Sequence, residues 1–146
     1  ISGYAAKVAR VHGHNHPELL RINQLVEAIS SEFSSHMAKE EQVLFPYIKR
    51  MVEAKNNKET IQQSSFGSVK GPINMMEIEH ESAGKNMSEI RTLSNDFTLP
   101  EDACASYSLL FRLLEEFEED LHTHVHLENN ILFPKALDLE KELVTK

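Results

Sequence analysis

Apolar residues recur along this chain at spacings of three and four, which marks one face of an α-helix. Ile1, Tyr4, Val8 and Val11 form a first short stripe. His14, Asn15 and His16 interrupt it ahead of Pro17, and proline suits the first turn of a new helix. Ile22, Val26, Ile29 and Phe33 form the second stripe. The polar stretch 55–70 (KNNKETIQQSSFGSVK) then reads as a long, mobile connection. Gly71 and Pro72 open a third helix with the stripe Ile73, Met76, Ala83, Met87 and Ile90, and residues 94–100 break it. A fourth helix is expected to start near Pro100 and Glu101 and carries Leu110, Leu114, Phe117 and Leu121. No segment alternates at period two over a useful length, so no sheet is expected. The pattern predicts an all-α chain folded as a left-handed, up-down-up-down four-helix bundle.

Two segments of the chain repeat one another. Residues 36–46 read HMAKEEQVLFP and residues 124–134 read HVHLENNILFP, both fitting His-x-x-x-Glu-x-x-(Val/Ile)-Leu-Phe-Pro. Residues four apart share a helix face, so His36 converges with Glu40 and His124 with Glu128. Their phase puts them on the apolar stripes. The second helix continues Ile29, Phe33, His36, Glu40, Leu44, and the fourth runs Leu114, Phe117, Leu121, His124, Glu128, Ile131. His80 falls between Met76 and Ala83 on the third. Five ionisable residues thus occupy core positions, where burial without partners is expensive. A metal ion is the simplest single partner for three imidazoles and two carboxylates.

Heights along the bundle agree with this phase. His36 stands about 20 residues past the turn at 14–17, roughly 30 Å at 1.5 Å per residue, His80 a similar distance before the 94–100 break and His124 a similar distance after it. The equivalent position on the first helix falls upstream of Ile1, so that helix is expected to be truncated and one ligand to lie outside the chain. Other features have plainer readings. His122 and His126 sit about 200° round the helix from His124 and should face water. His12, His14 and His16 read as turn or helix-end residues, with a second metal at His14 and His16 the weaker alternative. Met37, Met75, Met76 and Met87 read as packing, and the acidic run 115–120 as a solvated face apart from Phe117. Pro46 and Pro134 should end or kink their helices.

Composition narrows the chemistry. With 146 residues the chain suits one domain, and its net charge of −8 argues against a nucleic-acid partner or an electrostatic membrane binder. No apolar run approaches the roughly 20 residues of a membrane span. The single cysteine, Cys104, cannot form an internal disulfide, which favours a reducing, cytoplasmic location. Imidazole and carboxylate without thiolate suit iron, manganese or zinc. The Glu-x-x-His order of ferritin-type sites is reversed and lengthened here.

The segments SEFSSHMAKEEQVLFPYIK, GPINMMEIEHESAG and HVHLENNILFP closely resemble the repair-of-iron-centres family, a bacterial hemerythrin-like di-iron group. The likeness runs from Val11 to about Leu137 and implies repair of iron–sulfur clusters damaged by oxidative or nitrosative stress. It implies two iron ions in an oxo-bridged centre, with His36, Glu40, His80, His124 and Glu128 as ligands and Glu40 and Glu128 bridging. A further histidine would come from the first helix, upstream of Ile1. Glu32 and Glu79 match acidic residues near the family's site; Glu32 lies one turn before His36, which suits support of a ligand or an iron path. Implied partners are damaged iron–sulfur proteins and the small ligands nitric oxide and dioxygen. A small N-terminal domain with a cysteine pair is common in the family and is expected to lie outside this sequence, and a second copy in a homo-dimer is one way to cover the truncated first helix. A hemerythrin-like gas binder or sensor, or a di-iron nitric oxide or peroxide reductase, are the rival readings, which leaves open whether the protein is an enzyme. The aspartate that oxygen-carrying hemerythrins place five residues after the last histidine is replaced by Asn129.

Overall fold

A computed structural model describes residues 1–61 and 67–143. All regular structure in it is helical apart from isolated bridge positions at Ile61 and Gly67. The elements are α1 (Ser2–His12), α2 (Glu18–Lys39), α3 (Phe45–Asn56), α4 (Lys70–Leu93), α5 (Ala105–Leu127) and α6 (Phe133–Leu143). A five-residue π turn, Glu40–Leu44, joins α2 to α3, and a second, Glu128–Leu132, joins α5 to α6. Four helical runs result, as an all-α four-helix bundle requires.

The chain divides into two compact units, Ile1–Phe33 with Glu81–Thr123, and Ser34–His80 with His124–Lys146. The first is packed by Leu19, Ile22, Val26, Ile29, Met87, Ile90, Leu110 and Leu114, all buried. All but Leu19 are residues that the stripes of three helices predict. Helix α1 differs from expectation. Its buried row is Ala5, Val8, Ala9 and His12, whereas Ile1, Tyr4 and Val11 are exposed. Both rows share Val8 and the same spacing; the structure selects the row whose alanines allow close helix approach. His12, read as a helix-end residue, is the last residue of α1 and is buried edge-on to Tyr107 at 5.2 Å between ring centres. Glu118 also departs from the solvated acidic run around it. It is buried and takes two hydrogen bonds from the Arg91 guanidinium, one of them 2.9 Å from Nε.

The turn after α4 contains three consecutive left-handed residues, Asn95, Asp96 and Phe97, at φ of 52°, 56° and 60°. Ser94 Oγ accepts the Phe97 N–H at 3.0 Å, and Phe97 is buried. Helix α5 begins later than expected, at Ala105, because a turn at residues 101 and 102 precedes it, in which Asp102 accepts a 2.8 Å hydrogen bond from His16.

The second unit has its own core of Leu44, Tyr47, Met51, Val69, Ile73, Met76 and Phe133. Tyr47 Oη, Ser68 Oγ and the Val69 N–H all donate to buried Glu140, at 2.8, 2.6 and 2.9 Å. Burial and this carboxylate push the Tyr47 hydroxyl up to about 12. The end of the presumed polar connection is thus pinned: Val69 is fully buried and α4 starts at Lys70, while α3 extends to Asn56. Residues 62–66 of that connection, where mobility was expected, lie outside the described residues. Met75 is half exposed rather than packed.

Neither proline ends its helix. Pro46 and Pro134 are the second residues of α3 and α6, just past the π turns. Phe45 and Phe133 donate to carbonyls five residues back, those of Glu40 and Glu128. A proline ring collides with the carbonyl four residues before it, and a widened preceding turn accommodates the ring. The extra residue also rotates the side chains. Ile131, predicted inside, is exposed, and Phe133 is buried in its place.

Candidate metal centre

The last turns of α2 and α5, the first residues of the two π turns and the middle of α4 bring His36, Glu40, His80, His124 and Glu128 together within the second unit. One ligand-capable atom from each lies within 4.8 Å of every other. Four are buried, and His124 keeps about a quarter of its side chain exposed. The two His-x-x-x-Glu pairs close locally: His36 Nε2 stands 2.9 Å from Glu40 Oε1, and His124 Nε2 2.7 Å from Glu128 Oε1. His80 Nε2 reaches Glu128 Oε1 at 2.9 Å and His36 Nε2 at 3.2 Å. Nε2 atoms of all three imidazoles therefore turn toward the carboxylates.

Opposite ring edges are tied to other groups. His36 Nδ1 is 2.9 Å from Glu79 Oε1, and Lys39 Nζ donates to the other Glu79 oxygen at 2.6 Å. His80 Nδ1 is 2.9 Å from Asn129 Oδ1, and the His80 ring lies parallel to Phe133, 3° from coplanar and 6.1 Å between centres. An Nδ1–H given to an oxygen leaves Nε2 with its lone pair pointing into the cluster, the form a metal ligand needs. Lys39 and Asn129 were not assigned these parts from sequence. Lys39 follows His36 by three residues on the same face, a readable signal; nothing in the sequence pairs Asn129 with His80. Glu32 lies in the first unit, exposed, 3.4 Å from Ser82 Oγ, and is not one of the five converging residues. Exposed His122 and His126 face outward as predicted, and His16 is engaged by Asp102.

Electrostatics inside the cluster are unbalanced without a cation. Burial alone would push the His36 imidazole down, but Glu128, Glu40 and Glu79 push it up to about 10. Burial raises Glu40, and His36 only partly offsets this. Glu128 is held below the usual carboxylate range by His36 and His80 against the opposing effect of burial. All four carboxylate oxygens of Glu40 and Glu128 are buried without a donor in hydrogen-bond geometry, although imidazole nitrogens stand at ion-pair distance. Buried oxygens normally have a donor, so four bare ones facing three inward nitrogens fit a cation.

Residues 1–136 match the family described as the hemerythrin HHE cation binding domain. The chain belongs to that hemerythrin family. It is 39% identical over 134 residues to a probable iron-sulfur cluster repair protein of Haemophilus influenzae, covering 92% of this chain and 54% of the relative. It is 40% identical over 135 residues to the iron-sulfur cluster repair protein YtfE of Dickeya chrysanthemi, covering 91% of this chain and 54% of that protein. YtfE of Yersinia pestis gives 40% over 134 residues with the same coverage. The chain spans about half the length of the curated relatives it matches. The hemerythrin assignment accords with the four helical runs, and the family's cation binding with the donor set just described. No helix among the described residues is long and apolar enough to cross a membrane.

Proposed function

We propose that this hemerythrin-family chain holds two iron ions and serves the repair of iron–sulfur clusters damaged by oxidative or nitrosative stress, in the cytoplasm. The observation that carries the reading is the convergence of three imidazole Nε2 atoms on two buried carboxylates whose oxygens lack hydrogen-bond donors. His36, His80 and His124 would hold the irons, and Glu40 and Glu128, from the two π turns, would bridge them. The similar proteins named for cluster repair supply the biological setting. An iron pair would supply Lewis acidity and electrons for a small ligand such as nitric oxide or dioxygen. The chain's own residues do the remaining work. Glu79 holds His36 from behind, with Lys39 anchoring Glu79, while Phe133 covers one face of His80. The partly exposed His124 marks the side from which a small molecule or a damaged iron–sulfur protein reaches the site.

Metal analysis and absorption spectroscopy of the full-length protein test this directly. About two irons per chain and oxo-bridged ferric absorption are expected. The Glu40→Leu, Glu128→Leu double variant should lose both while keeping its helical circular dichroism. Two irons retained by the double variant would sink the assignment. Iron transferred to an apo-cluster acceptor supports repair, whereas reversible dioxygen binding without transfer would instead make the protein a gas carrier or sensor.

A further inference from the structure

We infer that Asn129 is the positioning residue that holds His80 in its ligating tautomer, and that it makes the centre electronically uneven, with a neutral amide behind His80 and a carboxylate behind His36. This rests on the di-iron reading above. His80 Nε2 faces Glu128 and His36, so as a metal ligand it must be unprotonated there, and the ring proton must sit on Nδ1. Asn129 Oδ1, 2.9 Å away, then accepts that proton's hydrogen bond. Phe133 stacks on the ring, so its face is covered and its Nδ1 edge fixed.

The sequence repeat isolates the feature. Copies 36–46 and 124–134 share His, Glu, Leu, Phe and Pro, but Asn129 corresponds to Glu41 and Phe133 to Phe45. Glu41 and Phe45 are both exposed, whereas Phe133 is fully buried and Asn129 is partly buried against His80. Only the second π turn, Glu128–Leu132, uses its widened geometry to send one residue, Glu128, into the cluster and the next, Asn129, to the histidine behind it. His36 is supported differently, by Glu79 from α4. A carboxylate accepting an imidazole N–H makes the ring a stronger electron donor than an amide does. His36 and His80 are therefore unequal ligands, set apart by charge rather than by distance.

The test compares iron-loaded full-length wild type with Asn129→Leu and Asn129→Asp, reading iron loss to a chelator and the reduction potential of the centre. Asn129→Leu should hold iron about 10–100-fold less tightly and shift the potential upward. Asn129→Asp should retain iron and shift the potential below wild type, so that the three order as Leu, Asn, Asp. A role in packing alone would not produce that order. A neighbouring control, Asn130→Ala, removes an exposed amide that stands 2.9 Å from exposed His126 and should match wild type in both readouts. Leu and Asp variants displaced in the same direction, or a Leu variant identical to wild type, would overturn the inference while leaving the di-iron reading standing. A wild-type protein that takes up no iron would overturn both.

Discussion

Two charged residues show how far a single position can depart from its neighbourhood. Glu118 sits in a run of acids, yet its helical phase turns it inward, where Arg91 covers it and stacks over Phe97 at 5.0 Å. Removing Arg91 leaves an uncompensated carboxylate. Because Arg91 is itself exposed to solvent, Arg91→Met should lower stability by less than the loss of one partner from a fully buried pair. The double variant Arg91→Met, Glu118→Leu should recover most of that in urea denaturation; no recovery would show that the pair does more than neutralise charge. Asp102 makes the pH case. The hydrogen bond from His16 holds its carboxyl below the ordinary value of 3.8. A depressed carboxyl stabilises above its unfolded pKa and loses that contribution as pH falls through the folded value. Asp102→Asn should therefore melt below wild type near about pH 5, and the gap should close by about pH 2; a constant gap would refute the linkage. Glu118 was hidden because a one-letter run shows charge but not phase, and His16–Asp102 because its partners lie far apart in sequence.

At the scale of elements, the two π turns matter most. Each begins at a cluster glutamate and ends two residues before a proline, and the repeated Leu-Phe-Pro is the readable trace of both. A strict three/four stripe carried through the turn puts Ile131 inside; the added residue leaves it 41% exposed and buries Phe133 completely. Deleting Asn130 should restore an α-turn and rotate α6 by about 100° relative to Glu128. Phe133 would then leave His80, and metal retention should fall sharply while overall helicity is kept. Unchanged metal content in that deletion would mean the π turn is incidental. Helix α1 makes the complementary point. Its large apolar residues suggest one face, but alanines at positions 5 and 9 pack better against close neighbours, and large side chains stay outside.

For the whole molecule, the division into two units predicts where metal binding is felt. All five clustered residues belong to Ser34–His80 and His124–Lys146. A ligand that binds only the folded form stabilises by mass action, about 4 kcal/mol at a thousandfold excess over its dissociation constant. Iron loading should raise the melting temperature and slow amide hydrogen exchange most in α3, α6 and the first half of α4. Equal slowing in residues 1–33 would show instead that the two units open together.

Helix number, the inward phase of His36, Glu40, His80, His124 and Glu128, and the shared level of the three histidines follow from sequence alone. Helical period and rise are constant, so phase and height can be counted without coordinates. Tertiary structure alone decides which of two rows α1 buries, that Glu118 and His12 lie inside, that the prolines follow π turns, and that Asn129 stands behind His80. Those outcomes depend on contacts between residues tens of positions apart and on one added residue in a turn. Local spacing encodes neither.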